Sequence, residues 1–147
     1  IGDPQMAARL QPQAGIASPT LAPALRERLE RQADAACLPR ELLGAMHPVM
    51  QAVTLTVLAA RWQGLDPGYA QEIALSGFAR TRQHRVVSLE SPELQMAALI
   101  PSEAADAERL VAQLLEQLED GRVQRVISRL AAAWERLRPE LEGYLPP

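Results

Sequence analysis

The run Ser102-Glu-Ala-Ala-Asp-Ala-Glu-Arg-Leu-Val-Ala-Gln-Leu-Leu-Glu-Gln-Leu-Glu-Asp-Gly121 and its continuation Arg122-Val-Gln-Arg-Val-Ile-Ser-Arg-Leu-Ala-Ala-Ala-Trp134-Glu-Arg-Leu-Arg138 decide the fold class of this chain. In the first half, Ala107, Leu110, Val111, Leu114, Leu115 and Leu118 fall on one stripe of an α-helix. Ser102 is the expected N-cap, and Asp120-Gly121 ends the helix. Val123, Val126, Ile127, Leu130, Ala131, Trp134 and Leu137 then restart the stripe, so the two helices are expected to close as an antiparallel hairpin. Pro139, Gly143 and Pro146-Pro147 mark its fraying end.

The same logic extends toward the N-terminus. Residues 1–19, with Pro4, Pro12, Gly15 and Pro19 and little periodicity, read as a flexible lead-in, and 20–147 as a single mainly helical domain or domain fragment. After Ser18 or Thr20 as cap, Leu21, Leu25, Leu29, Ala33 and Cys37 recur every fourth residue and predict a first amphipathic helix. Pro39 can open a second helix, and Pro48 must interrupt it, which predicts a bend near His47. The run 49–62 contains the β-branched Val53-Thr-Leu-Thr-Val-Leu, yet its length and the C-capping Gly64 favour a buried helix.

Asp66-Pro67 opens a further helix through about Ala79, and Ser91-Pro92-Glu93 opens another that stops by Pro101. Between them, 85–89 reads as one short β-strand. Five residues need ladder partners, from elsewhere in the chain, a second copy or a missing flank. The expected architecture is therefore a mainly α helical bundle with a helical hairpin and one short strand.

Composition narrows the function. A net charge of −3, mixed in sign along the chain, leaves no footprint for a phosphate backbone, so nucleic acid is not an expected partner. Cys37 is the single cysteine, which excludes an internal disulfide and a cysteine-based zinc site. No apolar run reaches the roughly 20 residues of a membrane span. There is no phosphate-binding glycine loop, and Ser88 and Ser91 lack a nucleophile elbow.

Three short elements carry a family resemblance: Gly64-Leu-Asp-Pro-Gly-Tyr-Ala-Gln-Glu72, then Val86-Val-Ser-Leu-Glu90, then Glu93-Leu-Gln95. Together they resemble the central part of TraB/GumN-family proteins, where an acid-bearing helix precedes a strand ending in Leu-Glu and a helix containing Gln. The informative match, within 64–99, covers about a quarter of the chain. Ala70 stands where the family pattern has glycine. Neither of the family's two Gly-x-x-His motifs is found in its setting at a strand end, although Gly44-Ala-Met-His47 satisfies the spacing.

Members of the family resemble the Tiki proteins, which are metal-dependent proteases. The resemblance therefore implies that this chain is a helical portion of a larger α/β protein, inactive alone, walling a hydrolase or protease site. A divalent metal is implied for the intact protein and no cofactor for this chain. The implied partners are the flanking parts of the same protein, with a homodimer as the other candidate, and the implied location is the envelope or periplasm. Glu90 and Glu72 are the candidate catalytic acids of the intact protein. Glu93 reads as a helix-dipole acid and Gln95 as a hydrogen-bond donor to the neighbouring loop.

The remaining reactive residues have plainer readings. His47 and His84 have no metal-ligand spacing, and Cys37, Trp62 and Trp134 are expected to be core residues. The alternative function is a self-contained helical protein-interaction module built on the hairpin.

Overall fold

A computed structural model describes the backbone of residues 20–142 and the side chains of 20–136. The expected lead-in at 1–19 and the chain end beyond Glu142 lie outside these residues. Among the described residues there are seven α-helices and no strand. They are α1 (Pro23–Ala35), α2 (Arg40–Gly44), α3 (Pro48–Leu58), α4 (Gln71–Thr81), α5 (Pro92–Leu99), α6 (Ala104–Glu119) and α7 (Arg122–Glu142). Two 3-10 turns, Ala59–Gln63 and Pro67–Tyr69, follow α3 and precede α4.

The core is a layer of three helices, with α3 against α6 and α1 against both. Leu21, Leu25, Leu29 and Ala33, spaced by four, bury one face of α1, and Val111 and Leu115 of α6 are fully enclosed with Val49 of α3. Small residues at Ala52, Ala59 and Ala107 let the helices approach. Fully burying each large aliphatic side chain contributes about 1.5–3 kcal/mol. A polar seam closes the edge: the Arg28 guanidinium donates to both Glu119 carboxylate oxygens at 3.0 and 2.7 Å, and the Ala22 N–H donates to Glu108 at 3.1 Å. Arg40 of α2 bridges back to Glu30 and Asp34 of α1.

Local chemistry explains most of the breaks. α2 stops at Gly44 and α3 restarts at Pro48, the interruption expected near His47. His47 is itself the N-cap, its Nδ1 accepting the Val49 N–H at 3.2 Å while the ring is buried. The 49–62 run is helical as expected despite its β-branched residues, because Val49, Ala52, Leu55 and Ala59 all face the core. It ends at Gly64, whose φ of 75° only glycine adopts without strain. Asp120 Oδ1 accepts the Arg122 N–H at 2.7 Å, and Gly121, at φ 71°, turns the chain from α6 into α7.

Several expectations are overturned. Residues 85–89 form no strand, and all five are exposed. A strand needs a neighbour for its N–H and C=O groups, and among the described residues this segment has none. Cys37 is exposed at φ 54°, past the end of α1, where the turn carries it off the four-residue stripe. Trp62 and Trp134 are surface residues, 68% and 65% exposed. Ser102 does not cap α6, since Glu103 occupies the cap position without a side-chain bond, and Ala22 rather than Thr20 precedes α1. The helix expected from Asp66 to Ala79 is split: Asp66 caps only the 3-10 turn, accepting the Gly68 N–H at 2.8 Å, and α4 starts afresh after Ala70.

The hairpin has its two helices in contact across Asp120-Gly121, and α7 also lies along the Ala59–Gln63 turn, where Ser128 Oγ donates to Gln63 Oε1 at 2.7 Å. Only the start of the α7 stripe is covered. Val123 is buried and Ile127 partly so, whereas Val126, Leu130 and Trp134 face outward.

Candidate functional site

Between Ala59 and Ile100 no residue is buried. This 40-residue span leaves the core after the 3-10 turn at Ala59–Gln63 and re-enters it at Met96 and Ile100. It is an arm that carries Tyr69, Ile73, Leu75, Phe78, Val86, Val87, Leu89 and Leu94 on its surface. It also carries both acids singled out from the sequence.

Glu90 sits at the junction between the 85–89 segment and α5. Ser91 Oγ accepts the Leu94 N–H at 3.2 Å, with Pro92 in the first turn, so the start of α5 is capped as its sequence requires. The Ser88 hydroxyl donates to the Glu90 carbonyl oxygen at 2.6 Å and fixes the preceding turn. Gln95, one turn into α5, donates from Nε2 to Glu90 Oε2 at 3.2 Å, the loop contact expected for it. The Glu90 carboxylate is therefore oriented by a neutral amide. Around it Ser88, Leu89, Ser91, Pro92 and Glu93 line an open concavity of about 590 Å³.

Glu72 lies in the first turn of α4 and is exposed. No hydrogen bond or ion pair among the described residues joins it to Glu90. His84 is exposed at the end of α4, with its backbone N–H bonded to the Ala79 carbonyl at 2.8 Å. His47 is on the far side of the sequence motif, built into the cap of α3. No three His, Cys, Asp or Glu side chains converge among the described residues. These residues are not a donor set for a divalent ion, and no metal-assisted step follows from them.

Ala70 replaces the family's glycine without strain. Its φ of −56° and ψ of 141° are open to any residue, so the alanine leaves the turn before α4 intact.

The electrostatic features that the sequence did not reveal are on the core. Hydrogen bonding to Arg28 holds the Glu119 carboxyl below its ordinary value, against a smaller opposing effect of burial. Arg40 does the same for Asp34. A cavity of about 270 Å³ opens between α1, α2 and α3, with Leu29, Leu43 and Pro48 inside and Arg26, Arg40 and Gln51 at its polar edge. Neither pair is visible in sequence: Arg28 and Glu119 are 91 residues apart, and Arg40 and Asp34 stand on separate helices.

With the arm and its acids in view, the sequence profile of the TraB/PrgY/gumN family matches residues 3–140. The chain belongs to the TraB/PrgY/gumN family. The match takes in the helices on both sides of the arm as well as the arm's own motifs, so the helical core is part of what the TraB/PrgY/gumN family shares. Neither the curated proteins nor the solved structures gave a match. In this TraB/PrgY/gumN chain no helix among the described residues is long and apolar enough to cross a membrane.

Proposed function

We propose that this chain is a helical portion of a TraB/PrgY/gumN protein that performs no chemistry alone and carries an acid-bearing arm to a site completed by other protein. The observation that supports this is the arm itself: eleven large hydrophobic residues from Trp62 to Leu99 are each at least 41% exposed. Monomeric proteins rarely leave contiguous apolar surface beyond a few hundred Å² uncovered. Covering this surface would bring Glu90, held by Gln95, out of bulk water at the start of α5.

The whole protein is then a metal-dependent hydrolase or protease of the envelope or periplasm, with Glu90 as its wall acid and Glu72 as a second. Glu90 would act as a carboxylate that orients a reacting water or a ligand side chain. The divalent ion and its ligands belong to other parts of that protein. An apolar arm also suits the second reading, a helical interaction module without catalysis.

The test is peptide hydrolysis by the product of the complete reading frame, with and without a chelator, beside its Glu90→Gln variant and beside this chain. The catalytic reading expects chelator-sensitive hydrolysis from the complete product, a loss of 100-fold or more in Glu90→Gln, on the order of a lost general acid or base, and none from this chain. Full activity in Glu90→Gln would remove the acid from the site, and hydrolysis by the isolated chain would contradict its inactivity.

A further inference from the structure

The middle of the arm is basic as well as apolar. Residues 73–89 hold Arg80, Arg82 and Arg85 and no acidic residue, within a chain whose net charge is −3. Ile73, Leu75, Phe78, Val86 and Val87 of the same stretch are each at least 56% exposed. Leu75, Phe78 and Arg82 follow at intervals of three and four, so they share one face of α4 and its cap, whereas Ile73 and Arg80 fall on the opposite face. The Arg82 guanidinium lies over the Phe78 ring, 5.2 Å from its centroid. The chain then turns at Gln83, whose φ is 56°, with the His84 N–H donating to the Ala79 carbonyl at 2.8 Å, and this keeps Arg85 at the end of the helix.

None of these three arginines takes part in an ion pair among the described residues. The acids on either side are set apart or engaged. Glu72 precedes Arg80 by eight residues, about 12 Å along a helix, which exceeds a Debye length of about 8–10 Å. Glu90 accepts from Gln95, Asp66 lies 3.9 Å from Arg61, and Glu93, in the first turn of α5, is engaged as well. A helix C-terminus favours cations, which accounts for Arg80 and Arg82 but not for the exposed apolar side chains set among them.

We infer that this stretch binds the surface of an anionic phospholipid bilayer, with Leu75 and Phe78 entering the headgroup layer and Arg82 and Arg85 on lipid phosphates. A guanidinium donates two parallel N–H bonds to a phosphate, and a helix with an apolar face flanked by cations lies in the plane of the interface. The rest of the chain is acidic, so an anionic surface attracts this stretch and repels the remainder. A nucleic acid duplex would also attract the arginines, but it offers no apolar layer to Leu75. The inference goes beyond the reading above: it concerns α4 and the turn after it, and leaves Glu90 and α5 to the site completed by other protein.

Flotation of the chain with vesicles tests it, using equal parts phosphatidylglycerol and phosphatidylcholine beside phosphatidylcholine alone. The chain is expected to float with the anionic vesicles, to stay behind with the neutral ones, and to be released as salt rises. Arg82→Gln combined with Arg85→Gln should weaken binding on the order of 30-fold, at about fivefold for each cation near the surface. Phe78→Ser should weaken it about tenfold. Ile73→Ser and Arg80→Gln change the opposite face of α4 and should alter binding less than Phe78→Ser and Arg82→Gln do; all these positions are exposed, and unchanged helical circular dichroism identifies the variants that fold. No flotation with the anionic vesicles overturns the inference, as does equal flotation with the neutral ones, full flotation of the double arginine variant, or a loss in Ile73→Ser as large as that in Phe78→Ser. Tighter binding to a DNA duplex than to the vesicles would also overturn it and assign the stretch to nucleic acid. Peptide hydrolysis by the complete protein is measured without lipid, so the catalytic reading stands or fails separately.

Discussion

Leu115 and Leu130 hold equivalent places in the sequence pattern, one on each stripe of the hairpin, but their surroundings are opposite. Leu115 is fully buried between α6, α3 and α1, whereas Leu130 is 65% exposed on α7. Leu115→Ala removes three carbons from a closed environment, which at about 0.8 kcal/mol per buried methylene is about 2.4 kcal/mol of lost transfer energy. The unfilled space adds a cavity cost, for a total of about 3–4 kcal/mol. Against the 5–15 kcal/mol stability typical of a domain, that is a large fraction. Leu130→Ala should cost no more than about 0.5 kcal/mol, as exposed positions do. Urea unfolding followed by helical circular dichroism measures both, at a concentration where sedimentation gives a monomer. A cost under about 1 kcal/mol for Leu115→Ala, or one above about 1.5 kcal/mol for Leu130→Ala, would show that the stripes are not buried as described.

Other outcomes follow from single contacts. His47→Ala should lose about 1–2 kcal/mol through the missing cap of α3, and His47→Asn less, because asparagine can accept the same backbone N–H; urea midpoints separate the two. Gly64→Ala should cost about 1 kcal/mol, since φ of 75° must be kept by a residue with a Cβ. Glu119 has its folded pKa lowered by Arg28, so its contribution is present above the unfolded value of about 4.3 and is lost as pH falls through the folded one. Arg28 and Glu119 are 28% and 34% exposed, so the effect is at most about 1 kcal/mol. Between pH 7 and pH 3 the native chain should lose more stability than Glu119→Gln; equal losses would contradict the linkage. Cys37, exposed past α1, should react with a disulfide reagent in the folded protein about as fast as in urea, and a protected thiol would return it to the core.

The sequence was most legible where one residue decides one bond. Pro48, Gly64, Ser91-Pro92 and Asp120-Gly121 each terminate or start a helix where expected, because a missing donor, a positive φ or a capping oxygen acts within one turn. It was legible too in α1 and α6, whose stripes find partners. It misled where a pattern says what a segment needs without saying that the need is met. Among the described residues the β-branched 85–89 has strand chemistry and no neighbour to pair with, and the ridge of α7 has core chemistry and no covering layer; Trp62 and Trp134 are core-type residues that stand exposed. The acids of the arm were found through resemblance, and Gln95 was rightly read as bonding the adjoining loop. The Arg28–Glu119 and Arg40–Asp34 pairs escaped notice because an ion pair between separate helices leaves no periodic trace.

The central claim is that a fixed helical core carries an uncovered arm, and amide hydrogen exchange resolved along the monomeric chain tests it most directly. Amides of α3 and the buried face of α6 should be strongly protected, while those of 85–90 exchange at close to unfolded rates. Protection across 85–89 comparable to that of α6 would mean that the segment is paired after all, and would contradict the account.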